Sequence, residues 1–209
     1  SNLFQTENFN AQLGYETTLE NGQGSSAAIV INPGEELIAQ DLNNYDFFAA
    51  SEWQLSERFS LRPGVRVSFS NLFGPQYIGS LSAKQNLGND WELRGVLGSA
   101  NRTPNYDELY TYFVDVNHNL QGNPNLAPEK GLTAFLHLKK SEQFLEGTLR
   151  LKHKLSFNYL TLNDRIELIV VNTSPLEFQY NNIDRFKNMG AFLENEVYYK
   201  NFKGKIGAS

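Results

Sequence analysis

The sequence predicts an all-β protein, an antiparallel up-and-down meander. Two observations carry this. Apolar and polar residues exchange with a period of two over long stretches, and no run of ten or more residues keeps the 3.6-residue spacing of a helix. The composition agrees: aromatic residues make up 13% of the 209 positions, beside 16 Gly and a single Met, Met189. That balance suits strands.

Turn signals divide the chain into about nine expected strands, at roughly 8–20, 42–55, 58–71, 76–88, 91–101, 131–141, 145–171, 176–200 and 203–209. In the third, Phe59, Leu61, Val65, Val67 and Phe69 alternate with Ser60, Arg62, Gly64, Arg66 and Ser68. In the fourth, Tyr77, Gly79, Leu81 and Ala83 oppose Ser80, Ser82, Lys84 and Asn86. The seventh sets Leu149, Leu151, Leu155, Phe157 and Tyr159 against Arg150, Lys152, Lys154, Ser156 and Asn158. One set of connections is tight and polar: LSER (55–58), LGND (87–90), KSEQF (140–144) and KNFKG (200–204). The other set is longer and uneven: 22–37, NLFGP (71–75), a link of about 30 residues from Asn101 to Lys130, and NTSP (172–175).

Short turns on one rim and uneven loops on the other are the plan of an outer-membrane barrel. Strands longer than a dozen residues point the same way, since sandwich strands average about 5–6. The arms 145–171 and 176–200 would approach 80 Å at ~3.3 Å per residue, so they should project from a membrane or break, with Asn163-Asp164 as the expected break. Trp53, Phe59, Trp91, Tyr198 and Tyr199 lie near short turns, as an interfacial girdle would. Alternation alone leaves a second reading open, a soluble β-sandwich module that binds glycan or protein through the 101–130 loop. A third is a small complete barrel closed by pairing 8–20 with 203–209.

Other classes are excluded or unsupported. Net charge is −5 and the 18 Lys and Arg are scattered, so a nucleic-acid footprint is missing. Zero Cys removes disulfides, thiolate zinc sites and Cys nucleophiles. The start, SNLFQTENFN, shows no leader pattern and no Met, which suggests a cut chain. His118, His137 and His153 are dispersed, and Asp115 with His118 is too thin for a metal site. Glu194 and Glu196 share a strand face without a partner acid or base and read as lumen-facing charges. Ser-His-Asp, phosphate-loop and HExxH patterns are absent. No enzyme, cofactor or metal is expected.

From Gly98 the chain reads GSANRTPNYDELYTYFVDVNHNLQGNPNLAPEKG. Gly98, Arg102, Pro104, Glu108, Leu109 and Tyr110, followed by Gly122, Asn123, Pro124, Asn125, Leu126, Pro128 and Glu129, resemble in order and spacing a phrase of the TonB-dependent receptors of Gram-negative outer membranes. LRPGVRVSFS (61–70) and YNNIDRFKNMGAFLENEVYY (180–199), with Gly190, Glu194 and Glu196, look like further strands of that family. The resemblance is clearest over 58–200.

It implies that 1–209 is part of a larger transmembrane β-barrel, of 22 strands when complete, excerpted without its plug domain. The implied function is active uptake of a scarce ligand such as a ferric siderophore, cobalamin, haem or an oligosaccharide. The implied partners are outer-membrane lipid, a plug domain, the TonB energy-coupling protein and a small nutrient ligand. Open sheet edges make edge-to-edge pairing of copies a further expectation. In the phrase itself, Pro104 ends a strand, residues 105–108 supply oxygens to turn the chain, and Arg102 can pair with Glu108 or Glu129 to tie the loop ends. These positions read as loop-organising. Tyr106, Tyr112, Asn117 and His118 are candidate ligand contacts.

Overall fold

In the computed structural model, which describes residues 2–24, 38–114 and 118–209, the period-two alternation becomes cross-strand register. The elements are β1 (Asn2–Gln5), β2 (Phe9–Gly24), β3 (Ile38–Ser56), β4 (Phe59–Ser70), β5 (Gln76–Gly88), β6 (Trp91–Ser99), α1 (Tyr106–Tyr110), β7 (Tyr112–Val114), β8 (Asn119–Gln121), β9 (Lys130–Phe144), a 3-10 turn (Leu145–Gly147), β10 (Leu149–Thr173), β11 (Leu176–Tyr199) and β12 (Phe202–Ala208). The nine long strands fall near the expected places, except that the tight turn expected at KSEQF (140–144) is strand, β9 running to Phe144, and the chain turns instead at Leu145–Gly147, where Leu145, Glu146 and Gly147 take positive φ. They form one sheet in chain order, and β6 pairs directly with β9 while the segment between them leaves the sheet and returns.

Every long pairing is antiparallel, and many rows match like with like. Tyr15, Phe47, Val67 and Tyr77 stand in one row across β2 to β5, and Leu93, Leu138, Leu155 and Leu193 in another across β6, β9, β10 and β11. This face is apolar and uncovered; Tyr15 is 73% exposed and Val65 59%. The opposite face carries rows such as Lys84, Arg94, His137 and Ser156. Its charges pair with one another: Arg66 lies 3.6 Å from Glu16, Lys84 3.2 Å from Glu92, and Lys205 2.7 Å from Glu194. An apolar outside and a polar inside is the barrel arrangement, with lipid as the outer solvent.

Several expectations change. The described residues make a single sheet with no second sheet packed on it, so the sandwich reading lacks its core. Residues 8–20 pair with β1 and β3, and 203–209 with β11, so the small closed barrel does not form among the described residues. The β10–β11 hairpin does not break at Asn163-Asp164. Asp164 takes a positive φ of 55°, but Asn163 faces Arg185 and Arg165 faces Ile183, so register is kept across it. The register shift comes later, between Val170 and Asn172. Tyr198 pairs with Arg150 and Lys203 on the inner face, so only its neighbour Tyr199 joins Trp53, Phe59 and Trp91 outside. Successive strand residues cannot share a face.

Candidate functional site

The link between β6 and β9 is held at its base by the strand ends themselves. Ala100 N donates to Gly131 O at 2.9 Å, and Arg102 and Glu129 exchange backbone bonds of 3.1 and 2.8 Å. Asn101 adds its amide, accepting from Gly131 N and donating to Tyr77 O. Immediately above, the Arg102 guanidinium forks between two carboxylates. Its Nη1 and Nη2 reach Glu108 at 2.7 and 3.0 Å, and its Nη2 and Nε reach Glu129 at 2.8 and 3.3 Å. One planar cation thus faces two bidentate partners, a geometry that Lys cannot reproduce. Burial works to lower the Arg102 pKa, but the hydrogen bonds and charges of Glu108 and Glu129 outweigh it and raise the value further, so the cation is permanent.

Both glutamates are nearly buried, at 9% and 6% exposure, and each carries a second duty. Glu108 sits at the third position of α1. Its carboxylate accepts Asn105 N at 2.9 Å, while Asn105 Oδ1 accepts Glu108 N at 2.9 Å. This reciprocal capping box explains why five residues after Pro104 coil at all. Glu129 accepts Ile166 N at 2.8 Å. Strand β9 begins at Lys130, so β10 has lost its neighbour at Ile166, and the carboxylate replaces the missing carbonyl.

The returning half of the loop is sewn to the β10–β11 arm. Asn123 N donates to Glu108 O, its Oδ1 accepts Asn125 N at 3.0 Å, and its Nδ2 donates to Tyr180 O at 3.0 Å. Asn182 clamps the Ala127 peptide from both sides, accepting its N–H at 2.8 Å and donating to its carbonyl at 3.0 Å, with a further bond to Asp164 O. Gly122 is needed for close approach: a Cβ there would lie 2.6 Å from the Leu109 backbone carbonyl. Beneath these bonds lies a small core of Leu109, Leu126 and Ile166, flanked by Phe73, Tyr110 and Tyr180. Pro104 is fully buried, Pro124 exposed and Pro128 half-buried. The loop also carries local order that its composition did not announce, since β7 and β8 pair with each other and β8 joins β11 in parallel.

The candidate contact residues are not brought together. The Tyr106 ring, 5.2 Å from Tyr110, packs where a Cβ on Gly22 of β2 would stand, four strands back from β6. The sheet therefore curls, and α1 lies over its concave side. Burial, then Tyr110, Asp107 and Asp41, raise the Tyr106 pKa. Tyr112 is exposed on β7, and the His118 ring lies 5.0 Å from Phe113. Asn117 and Asp115 lie outside the described residues. No group of three or more His, Asp or Glu able to hold a metal occurs among the described residues. Asn182, which holds the Ala127 peptide from β11, is the residue a sequence reading undervalues; its signal was its place in the Tyr180-x-Asn182 phrase.

Comparison with known proteins follows this geometry. The family model described as TonB dependent receptor-like β-barrel matches residues 2–208. The iron-regulated outer membrane virulence protein of Vibrio cholerae serotype O1 is 29% identical over 96 residues, 45% of this chain and 15% of that protein. The siderophore receptor PirA of Pseudomonas aeruginosa superposes with a TM-score of 0.70 at 17% identity, covering 94% of this chain and 39% of that one. The Serratia marcescens hemophore receptor HasR, in complex with its hemophore HasA and heme, gives a TM-score of 0.75 at 13% identity, covering 95% and 38%. The chain thus spans less than two-fifths of each of these proteins.

Proposed function

Because the chain belongs to the TonB-dependent receptor β-barrel family, a family of outer-membrane receptors and transporters and not of enzymes, we propose that it forms one wall of a receptor that takes up an iron-bearing ligand, a ferric siderophore or haem. Two kinds of support converge. The names of the relatives concern iron regulation, siderophore and heme. The described parts of the 101–130 loop are tied to the strands by hydrogen bonds, and α1 lies over the concave side of the wall. The single observation that carries the reading is the Arg102 fork, which fixes both ends of that loop to the barrel. Rigid presentation lowers the ordering cost of binding.

Completing the reading needs groups beyond these residues. The backbone edges of β2 and β11 are unpaired over much of their length among the described residues, and in lipid each must find a partner. Further strands of the same polypeptide would supply it, with a plug domain inside and the TonB protein as energy source. If no such strands adjoin, edge-to-edge pairing of copies would take their place. Arg102, Glu108, Asn123 and Glu129 act here as organisers; Tyr112 and His118 are the proposed ligand contacts.

The test is uptake of radioactive iron by cells whose growth depends on this receptor, supplied in turn as ferric siderophore and as haem. Transport of one of them, lost in Arg102→Ala at unchanged outer-membrane abundance, is the expected result. Growth on neither iron source, with normal uptake of cobalamin or an oligosaccharide, would reassign the ligand.

A further inference from the structure

Between the short-turn rim and the level of Tyr159 the outer faces of β9, β10 and β11 are apolar apart from one inset near that rim. There Trp91, Lys140, His153 and Asn195 occupy a single row across β6, β9, β10 and β11, and Glu142 stands one outward position further along β9. The groups are connected. Lys140 Nζ lies 2.5 Å from Glu142 and 5.3 Å from the centre of the Trp91 ring. His153 Nδ1 is 2.6 Å from Asn195 Oδ1, and its Nε2 is 3.6 Å from Glu142.

This inset is not simply the place where the membrane ends. The row on one side of it is Leu93, Leu138, Leu155 and Leu193, and along β10 and β11 the other side is Leu151 with Val197, then Leu149 with Tyr199. His153 and Asn195 are therefore polar positions with apolar neighbours before and after them on their own strands. Ionisable groups facing lipid are costly and mark sites with a polar partner. His153 stands four residues from the start of β10, about 10 Å above the rim for a strand of ordinary rise and tilt. That is head-group depth, and Trp91 is the residue type that anchors there.

We propose that this inset binds the head group of a phosphoethanolamine lipid in the leaflet on the short-turn side. The chemistry favours a zwitterion over a plain anion. Lys140 keeps two N–H donors beyond the one directed at Glu142, enough for a phosphodiester, while the imidazole, turned to Asn195 Oδ1 and Glu142, holds that carboxylate in place. Glu142 keeps lone pairs for a primary ammonium, which lies one ethylene unit from that phosphate in such a lipid. A lipid without the ammonium leaves Glu142 facing its phosphate, and a trimethylated ammonium cannot donate to it. The apolar rows beside the inset take the acyl chains. The inference rests on the outer face meeting lipid.

The experiment is native mass spectrometry of the intact receptor released from mixed micelles holding equal amounts of phosphatidylethanolamine, phosphatidylglycerol and phosphatidylcholine. Retention of the ethanolamine lipid about five- to tenfold above the other two is expected, falling to parity in Lys140→Leu/Glu142→Leu. Equal retention of all three by the unmodified receptor, or a preference for the glycerol lipid, overturns the proposal without any variant having to fold. Absence of the receptor from the outer-membrane fraction would instead remove the lipid-facing premise, so the two failures are distinguishable. Leu97→Ala, an outer-face change three rows away from the inset, should leave the preference intact.

Discussion

The membrane-facing part of the sheet and the 101–130 loop are packed by opposite rules. In the sheet, large apolar side chains point outward and remain uncovered by protein, while most of the charges, the inset at Lys140 and Glu142 apart, sit inside. Around the loop, Leu109 and Leu126 are 1% and 3% exposed and the polar residues surround them. The same chain is folded for two solvents, and the change happens within a few residues of Arg102 and Glu129. A hydrophobic side chain therefore has a different worth on each side of that line. In lipid it exchanges one apolar neighbour for another, whereas in the loop core it leaves water.

Matched truncations test this most strongly. Leu109→Ala should cost about 2–5 kcal/mol of loop stability, seen as fast hydrogen exchange over 105–129, while Leu97→Ala on the lipid face should be several times milder in denaturant unfolding from liposomes. Comparable losses at the two positions would erase the distinction. Charge insertion reverses the order: Val65→Lys on the outer face should destabilise the inserted barrel by about 2–4 kcal/mol if it lies near mid-membrane, and Gln76→Lys, on the polar face, should have little effect in the same unfolding assay. The smallest expected change is Asn105→Ala, about 0.5–2 kcal/mol through the lost cap. It should raise exchange in α1 alone, and a response that spread to β10 would show the loop to be less modular than its bonding suggests.

The parts legible in the sequence were those governed by neighbours along the chain. Alternation located β2 to β6 and β9 to β12, and the Arg102–Glu108 spacing drew attention to the loop's tie. Contacts between residues far apart in sequence were not legible. The Asn182 clamp on Ala127 joins positions 55 apart, and β8 pairs with β11 across a similar gap. Neither leaves a periodic trace. Asp164 misled for a related reason. Asn163-Asp164 carries turn-forming residues, but pairing with β11 immediately before and after it, Asn163 with Arg185 and Arg165 with Ile183, keeps the register through a locally left-handed residue. Tyr198 and Tyr199 look equivalent as a doublet and face opposite solvents.

The Glu129 carboxylate that stands in for a carbonyl at Ile166 has a consequence for how such a wall can vary. It makes the height of the hairpin and the length of the loop a single quantity, since the loop must place its carboxylate beside whichever strand residue first lacks a neighbour. Removing one residue from β10 between Asn163 and Ile166 would turn the arm over and carry that N–H away. Removing two would keep the faces but shift the arm by nearly 7 Å at ordinary strand rise, about twice 3.4 Å. Insertions and deletions are thus tolerated at the Ser174-Pro175 tip, and resisted where the arm leaves its neighbour.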